Sequence, residues 1–293
     1  MKSICCLLGY TPQAYHKQTK YHLLKQVNED LILQQVHRMR NEQPRCGTRK
    51  LLIMLQPFLL QHNINIGRDH FFTLLAKNKL LVRKTKRSVH TTNSKHHFHR
   101  YPNLARGFTP LKAHELWVSD ITYIPLKDRF AYLFLITDAY SRKIVGHYVS
   151  DDMKVSSAVV ALKKALAQKP VETIVIHHSD RGIQYCSNEY VNILQQHHAM
   201  ISMTQSGDPL ENAVAERVNG ILKTELISSS YENIDRASLS IARAIIIYNY
   251  KRRHSSLNYQ IPNDVHQQKG AQIRRWKNYY QNNTKPKTNM QET

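Results

Sequence analysis

Three carboxylates in this chain stand where they could do chemistry. Asp120 ends the apolar run Leu116-Trp117-Val118-Ser119. Asp180 follows Glu172-Thr173-Ile174-Val175-Ile176, which reads as a short buried strand, and Gly182 eases the turn just beyond it. Glu216 lies in the helical pattern Ala213-Val214-Ala215-Glu216-Arg217-Val218-Asn219-Gly220-Ile221-Leu222-Lys223. Each acid therefore belongs to a different element. Three such acids in a basic chain suggest metal ions working on a phosphodiester backbone. Phosphoryl transfer needs an acidified nucleophile and a stabilised leaving oxygen, and two Mg²⁺ ions about 3.5–4 Å apart supply both. Mg²⁺ takes carboxylate oxygens and keeps several waters, so two or three acids suffice. Asp120 and Asp180, on neighbouring strand ends, would meet at a bridging position, with Glu216 reaching across from its helix. Without metal their like charges repel and raise a pKa; a bound cation reverses this.

Simpler readings compete for each acid. An isolated aspartate at a strand end more often caps a turn. Asp128, Asp138, Asp151 and Asp152 read as surface or structural residues, and Glu211 and Glu225 compete with Glu216. At helical spacing Glu216, Asn219 and Lys223 share one side, so Lys223 would touch DNA phosphate beside the metals, whereas Glu225 lies off that face.

The charge balance points to a polyanionic partner. Across 293 residues there are 42 Lys and Arg against 21 Asp and Glu, a net of +21. Such a field binds nucleic acid through counterion release. An anionic membrane is the rival, but no amphipathic basic helix with a clear anchor face is present. Residues 1–110 hold 19 basic and 4 acidic side chains, a net of +15, and the remainder carries +6. The front third is thus the candidate for directed DNA binding and the rest for chemistry. The four cysteines, Cys5, Cys6, Cys46 and Cys186, have no C-x-x-C spacing, which argues against structural zinc or a disulfide framework and fits a reducing cytoplasm. No apolar run approaches a membrane span.

The elements that must position the acids follow from periodicity. Apolar residues over 21–41 have helical spacing; further helices are expected from Thr48 to about Leu60 and from Arg68 to Asn78. Helix, turn, helix with basic residues matches a small all-α helix-turn-helix module over 1–82, although a plain three-helix bundle has the same pattern. Residues 83–112, rich in Lys, Arg and His and poor in apolar side chains, read as a basic, solvated linker. Strands are expected over Leu116–Leu126, Arg129–Thr137 and Lys143–Val149, then a helix Val155–Gln168, a strand Thr173–His177, a helix Asn188–His197, a strand Met200–Met203 and helices Glu216–Ile227 and Leu239–Tyr250. That order is the order of a ribonuclease-H-like fold, an α/β mixed sheet covered by helices, over 113–266. Residues 267–293 read as a basic, partly disordered tail.

Specific motifs now enter. Trp117-Val118-Ser119-Asp120-Ile121-Thr122-Tyr123-Ile124 resembles the first-aspartate motif of bacterial insertion-sequence transposases of the retroviral-integrase superfamily. His178-Ser179-Asp180-Arg181-Gly182-Ile183-Gln184-Tyr185 is similar to their second motif. Glu211-Asn212-Ala213-Val214-Ala215-Glu216 with Leu222-Lys223-Thr224-Glu225 resembles their third, with Glu211 where that family usually has Asp. Thirty-five residues separate Asp180 from Glu216, the spacing that names the Asp-Asp-35-Glu group. Tyr248-Asn249, Arg253-His254-Ser255-Ser256-Leu257 and Pro262 resemble the segment closing the core in the IS-three family, and Gly47-Thr48-Arg49-Lys50 fits its N-terminal module.

The resemblance implies a transposase catalytic subunit, the downstream-frame product, with Asp120, Asp180 and Glu216 as catalytic acids holding two Mg²⁺, or Mn²⁺ in their place. It implies cleavage and strand transfer at the ends of an insertion sequence, through a joined-end circular intermediate. Lys223, Arg217 and Asn212 are expected against DNA near the acids, and Arg49, Lys50 and Arg68 against the terminal repeats. Expected partners are terminal inverted repeats, target DNA, further copies of the chain on DNA and the product of an upstream frame, with no membrane and a cytoplasmic, nucleoid-associated location. A nuclease that only cleaves and a DNA-binding repressor remain as alternatives. Asp180→Asn separates enzyme from repressor.

Overall fold

A computed structural model describes residues 7, 9–82, 98–205 and 209–272. Contacts divide the chain into two compact units, one of residues 1–91 with 220–229 and one of residues 92–219 with 230–293.

The front unit is helical. Its longest described helix, α1 (Pro12–Glu42), starts nine residues before the apolar pattern does. Pro12 occupies a position that needs no N–H, and Thr11 Oγ1 accepts the Ala14 N–H at 3.1 Å, so a cap sets the start. Residues 12–20 carry no apolar stripe, so periodicity leaves out the first nine residues of α1, of which only Ile32 and Val36 are buried. In α2 (Thr48–Gln61) Leu51, Leu55 and Leu59 fall on one face by fours. They meet Phe71, Leu74 and Leu75 of α3 (Arg68–Lys77), with Ile32, Val36, Cys46 and Ile64 completing the core. Segment 220–229 joins this unit from far along the chain. Arg45 donates its N–H to the Glu225 carbonyl at 3.3 Å, and Lys50 Nζ lies 2.5 Å from Glu225 Oε2.

The second unit is built on a five-stranded mixed sheet: β1 (Leu116–Pro125), β2 (Phe130–Asp138), β3 (Ile144–Ser150), β4 (Ile176–Ser179) and β5 (Met200–Met203), in the order β3-β2-β1-β4-β5. The first three form an antiparallel meander, with Trp117 opposite Asp138 and Pro125 opposite Phe130. β4 and β5 pair parallel, Trp117 opposite His177 and His177 opposite Ile201. Parallel pairing needs a crossover. α4 (Val155–Leu166) leads from β3 to β4, and α5 (Asn188–Gln196) leads from β4 to β5. α4 turns Ala158, Ala161, Leu162 and Ala165 toward Trp117, Phe134, Ile136 and Val145. It comes so close to β3 that a Cβ at Gly146 would collide with the Ala161 carbonyl oxygen. The mixed α/β sheet expected from the order of elements is the fold observed.

Three local differences have physical causes. β4 begins at Ile176 rather than Thr173, because the Thr173 N–H is taken by the Pro170 carbonyl in a turn. The described part of the expected linker lies against the sheet. Phe98 and Tyr101 pack on the core, and the Leu104 N–H donates to Ser202 Oγ at 2.8 Å. Helix α7 (Ile234–Tyr250) starts five residues before the expected Leu239, because Asn233 caps it by accepting the Arg236 N–H at 2.9 Å. Residues 83–97 of the linker and 273–293 of the tail lie outside the described residues.

A buried polar cluster fastens the C-terminal helix α8 (Pro262–His266) to the sheet. Asp138 accepts the N–H groups of His114 at 2.7 Å and Ser141 at 2.8 Å. His266 Nδ1 lies 2.8 Å from Ser141 Oγ, and its Nε2 lies 3.1 Å from His114 Nε2.

Candidate active site

Asp120 sits midway along β1, half-buried, with both carboxylate oxygens held. Oδ1 accepts the Ile121 N–H at 2.9 Å, and Oδ2 accepts from Asn219 Nδ2 at 2.7 Å. Asn219 belongs to α6 (Ala213–Ile221), one turn beyond Glu216. Burial pushes the Asp120 carboxyl up to about 7, and the charge of Asp180 adds to the push. The donors Asn219 and Ile121 oppose it, and Glu216 raises it a little further. All three acids thus act on one electrostatic neighbourhood.

Asp180 stands immediately past β4, where the strand gives way to a turn and the single helical turn Ile183–Cys186. Its Oδ1 accepts the Gly182 N–H at 2.9 Å. A Cβ at Gly182 would lie 3.0 Å from that oxygen and 3.2 Å from Gln184 Oε1, so a bare backbone keeps the turn tight. Gln184 in turn donates to the Met153 carbonyl at 2.8 Å, which ties the turn to the entrance of α4.

Glu216 is exposed on α6, and the helix is placed by its other side. Ala215 is buried with Leu116, Val118 and Ala139, and Val214 packs against them. Asn212 Nδ2 donates to the Ser119 carbonyl at 3.0 Å, and His178 Nε2 lies 3.0 Å from the Glu211 carbonyl. His178 Nδ1 meets Ser202 Oγ at 2.8 Å. The approach to α6 is therefore anchored to β1, β4 and β5 at once. Among the described residues, no three His, Cys, Asp or Glu side chains are gathered closely enough to hold an ion as they stand.

The other sequence candidates fall in varied places. Arg217 is exposed on α6, Lys223 is exposed in the π-helical stretch Leu222–Leu226, and Arg49 is exposed at the start of α2. Arg68 opens α3 with Nε 2.8 Å from Asp69 Oδ1. Two candidates are engaged by the protein itself. Lys50 is paired with Glu225, and Asn212, only 7% exposed, holds the β1 backbone. Neither presents its donors outward as a DNA contact would require. The sequence sets Lys50 at a helix start and Asn212 in the third motif, but neither position shows partners far along the chain.

Two groups stand beside the acids without belonging to the motifs. Asn219 shares the side of Glu216, and its spacing of three is the signal for it. Ser119, His177 and Tyr190 form a buried polar chain beside the aspartates: Ser119 Oγ and the Tyr190 hydroxyl lie 2.7 and 3.0 Å from His177 Nε2. Nothing in local sequence marks them as a set.

Known proteins resemble this chain along most of its length. Residues 110–209 match one integrase core domain family, and residues 197–262 match a second of the same description. The chain is similar to the uncharacterized 31 kDa protein of insertion element IS600 from Shigella sonnei, 32% identical over 87% of this chain and 94% of the relative. It is similar to the transposase for insertion sequence element IS629 from Shigella sonnei, 29% identical over 88% of each. Transposase InsF for insertion sequence IS3A from Escherichia coli K12 is 34% identical over 52% of this chain and 54% of its own.

Proposed function

Because this chain belongs to the IS-three family of insertion-sequence transposases with an integrase core, we propose that Asp120, Asp180 and Glu216 form its strand-transfer site. The protein is a transposase, a polynucleotidyl transferase that acts on DNA. The observation that carries the site assignment is the grip of Asn219, on the helix of Glu216, upon Asp120, whose carboxyl is raised by burial and, beyond that, by the charges of Asp180 and Glu216.

The donor set suits a divalent cation. It is all oxygen, which favours Mg²⁺ or Mn²⁺ over zinc. Burial and two neighbouring acids make Asp120 costly as an anion, a cost that a cation removes. We assign two Mg²⁺ to the three acids. Bound there, the metal would acidify the attacking hydroxyl and stabilise the leaving oxygen.

The protein's own part is to orient. Ile121 and Asn219 fix the plane of the Asp120 carboxylate, and Gly182 fixes that of Asp180. In cleavage, a water oxygen bonds to phosphorus while the bond to the 3′ oxygen breaks. That oxygen leaves with the electron pair and takes a proton. In transfer, the new 3′ hydroxyl bonds to a target phosphorus, a target phosphodiester bond breaks, and the proton passes to the oxygen released. No bond count changes, so no external energy source is needed.

Arg217 and Lys223 are assigned to DNA near the cleaved bond, and Arg49 and Arg68 to the terminal repeats. Two or more copies would assemble on paired ends, with an upstream-frame product as a further partner. Among the described residues, no helix is long and apolar enough to cross a membrane. The deciding experiment is Asp180→Asn on pre-cut terminal-repeat DNA with Mg²⁺. End binding should persist while strand transfer disappears. Equal transfer by the variant would end the assignment.

A further inference from the structure

Asn219 is 5% exposed, and its side-chain amide has two ends with different fates. Nδ2 donates to Asp120 Oδ2 at 2.7 Å. Oδ1 is buried and, among the described residues, accepts no hydrogen bond. A buried amide oxygen without a donor costs on the order of 1–3 kcal/mol, so its retention calls for a physical reason. The assignment of the two ends is fixed by chemistry. The reverse orientation would set the amide oxygen against an acceptor-only carboxylate oxygen, which repels.

One turn past Glu216 the same helix therefore delivers a donor to Asp120, and the buried Oδ1 is the cost of holding that donor in place. Groups that orient metal ligands in this way commonly change metal affinity 10–100-fold when removed.

We propose that Asn219 is a positioning residue of the strand-transfer site: its Nδ2, donated to Oδ2, sets the Asp120 carboxylate for metal. The inference rests on Asp120 being a metal ligand. Asn219 touches neither reacting phosphate nor nucleophile. It couples the helix of Glu216 to the strand of Asp120, so that the two acids are set by one side chain.

The test measures Mn²⁺ binding to the full chain without DNA by titration calorimetry. The proteins are wild type, Asn219→Leu, Asn219→Asp and Asp120→Asn, and melting temperatures are taken with and without Mn²⁺. Asn219→Leu should weaken Mn²⁺ at least 10-fold and raise the Mg²⁺ concentration for half-maximal strand transfer by a similar factor, with terminal-repeat binding unchanged. Asn219→Asp should melt lower than wild type without metal, because two carboxylates then face each other, and should gain more from Mn²⁺ than wild type does. Should Asn219→Leu fail to fold, the Asn219→Asp shift decides alone. Unchanged Mn²⁺ affinity in Asn219→Leu, or equal metal-induced shifts in Asn219→Asp and wild type, would overturn the role of Asn219. Unchanged affinity in Asp120→Asn would instead remove the site reading beneath it.

Discussion

Ser119 Oγ lies 2.7 Å from His177 Nε2, and this contact joins two parallel strands one residue before Asp120 and three before Asp180. The Tyr190 hydroxyl of α5 reaches the same nitrogen at 3.0 Å. His177 is fully enclosed, and burial holds its pKa down at about 3, so the ring is neutral across the working pH range. A neutral imidazole there joins sheet to helix without placing a charge near the acids.

Replacing that ring should therefore loosen the floor of the site. His177→Leu removes the imidazole that the Ser119 and Tyr190 hydroxyls share and leaves them only each other, at about 1–3 kcal/mol in all. Calorimetric melting should show the loss. Strand transfer at a temperature where the variant is folded should fall more than end binding does. Equal stability of variant and wild type would show the contact to be dispensable.

Asp120→Asn should separate stability from activity. It removes a carboxylate that burial and Asp180 make costly to charge. The Asn219 amide can rotate to offer its oxygen to the new donor. The metal-free variant should gain roughly 1–2 kcal/mol against denaturant at pH 8 and show no strand transfer. A loss of stability would mean that Asp120 is better satisfied without metal than its surroundings imply.

The cluster of α8 makes stability depend on acid. Burial lowers His114 to about 4 and His266 to about 3, with Lys143 pushing both down and Lys169 also acting on His114. The unfolded chain protonates these rings near 6.5, so between about 6.5 and 4 it binds more protons than the folded one. Stability should fall as pH drops through that window, by up to about 3 kcal/mol for each ring. Asp138, raised by burial, works in the opposite direction. His147, lowered to about 4, adds to the loss. His266→Asn should thus start less stable at pH 7 and show a shallower decline. Denaturation curves at pH 7, 5.5 and 4 provide the measurement.

Gly146→Ala should be poorly tolerated although it lies on a strand. Its added carbon meets the Ala161 carbonyl and Ala165, backbone and Cβ that cannot swing aside. Overpacking of this kind costs about 1–3 kcal/mol. A melting temperature within 1 °C of wild type, on the order of the smallest shift expected, would show that α4 can lift away.

Arg49→Ala and Lys50→Ala should differ in kind. Arg49 is exposed at the start of α2, so its loss should weaken terminal-repeat binding and reduce the salt slope by about 1. Lys50 holds Glu225 at 2.5 Å, so its loss should lower the stability of the front unit before it changes the salt slope. Binding isotherms at several salt concentrations, with melting curves, separate the two.

Periodicity was enough to find what neighbouring residues encode together. Leu51, Leu55 and Leu59 announce a helix, and the apolar run from Leu116 announces a strand, because both repeats are local. Motif spacing singled out Asp120, Asp180 and Glu216, and composition indicated a polyanionic partner. The first nine residues of α1 do not show in the pattern because a cap at Thr11, not a buried stripe, starts it.

What folding alone decided is the pairing of groups far apart along the chain. The parallel register sets Trp117 beside His177, which brings Ser119 to its imidazole. Asn219 reaches Asp120 across 99 residues, and Lys50 finds Glu225 across 175. A side chain carries no mark of a partner that only the closed sheet and docked helices bring near. The residues that could do chemistry can thus be read one by one, whereas which of them orients another is settled by packing.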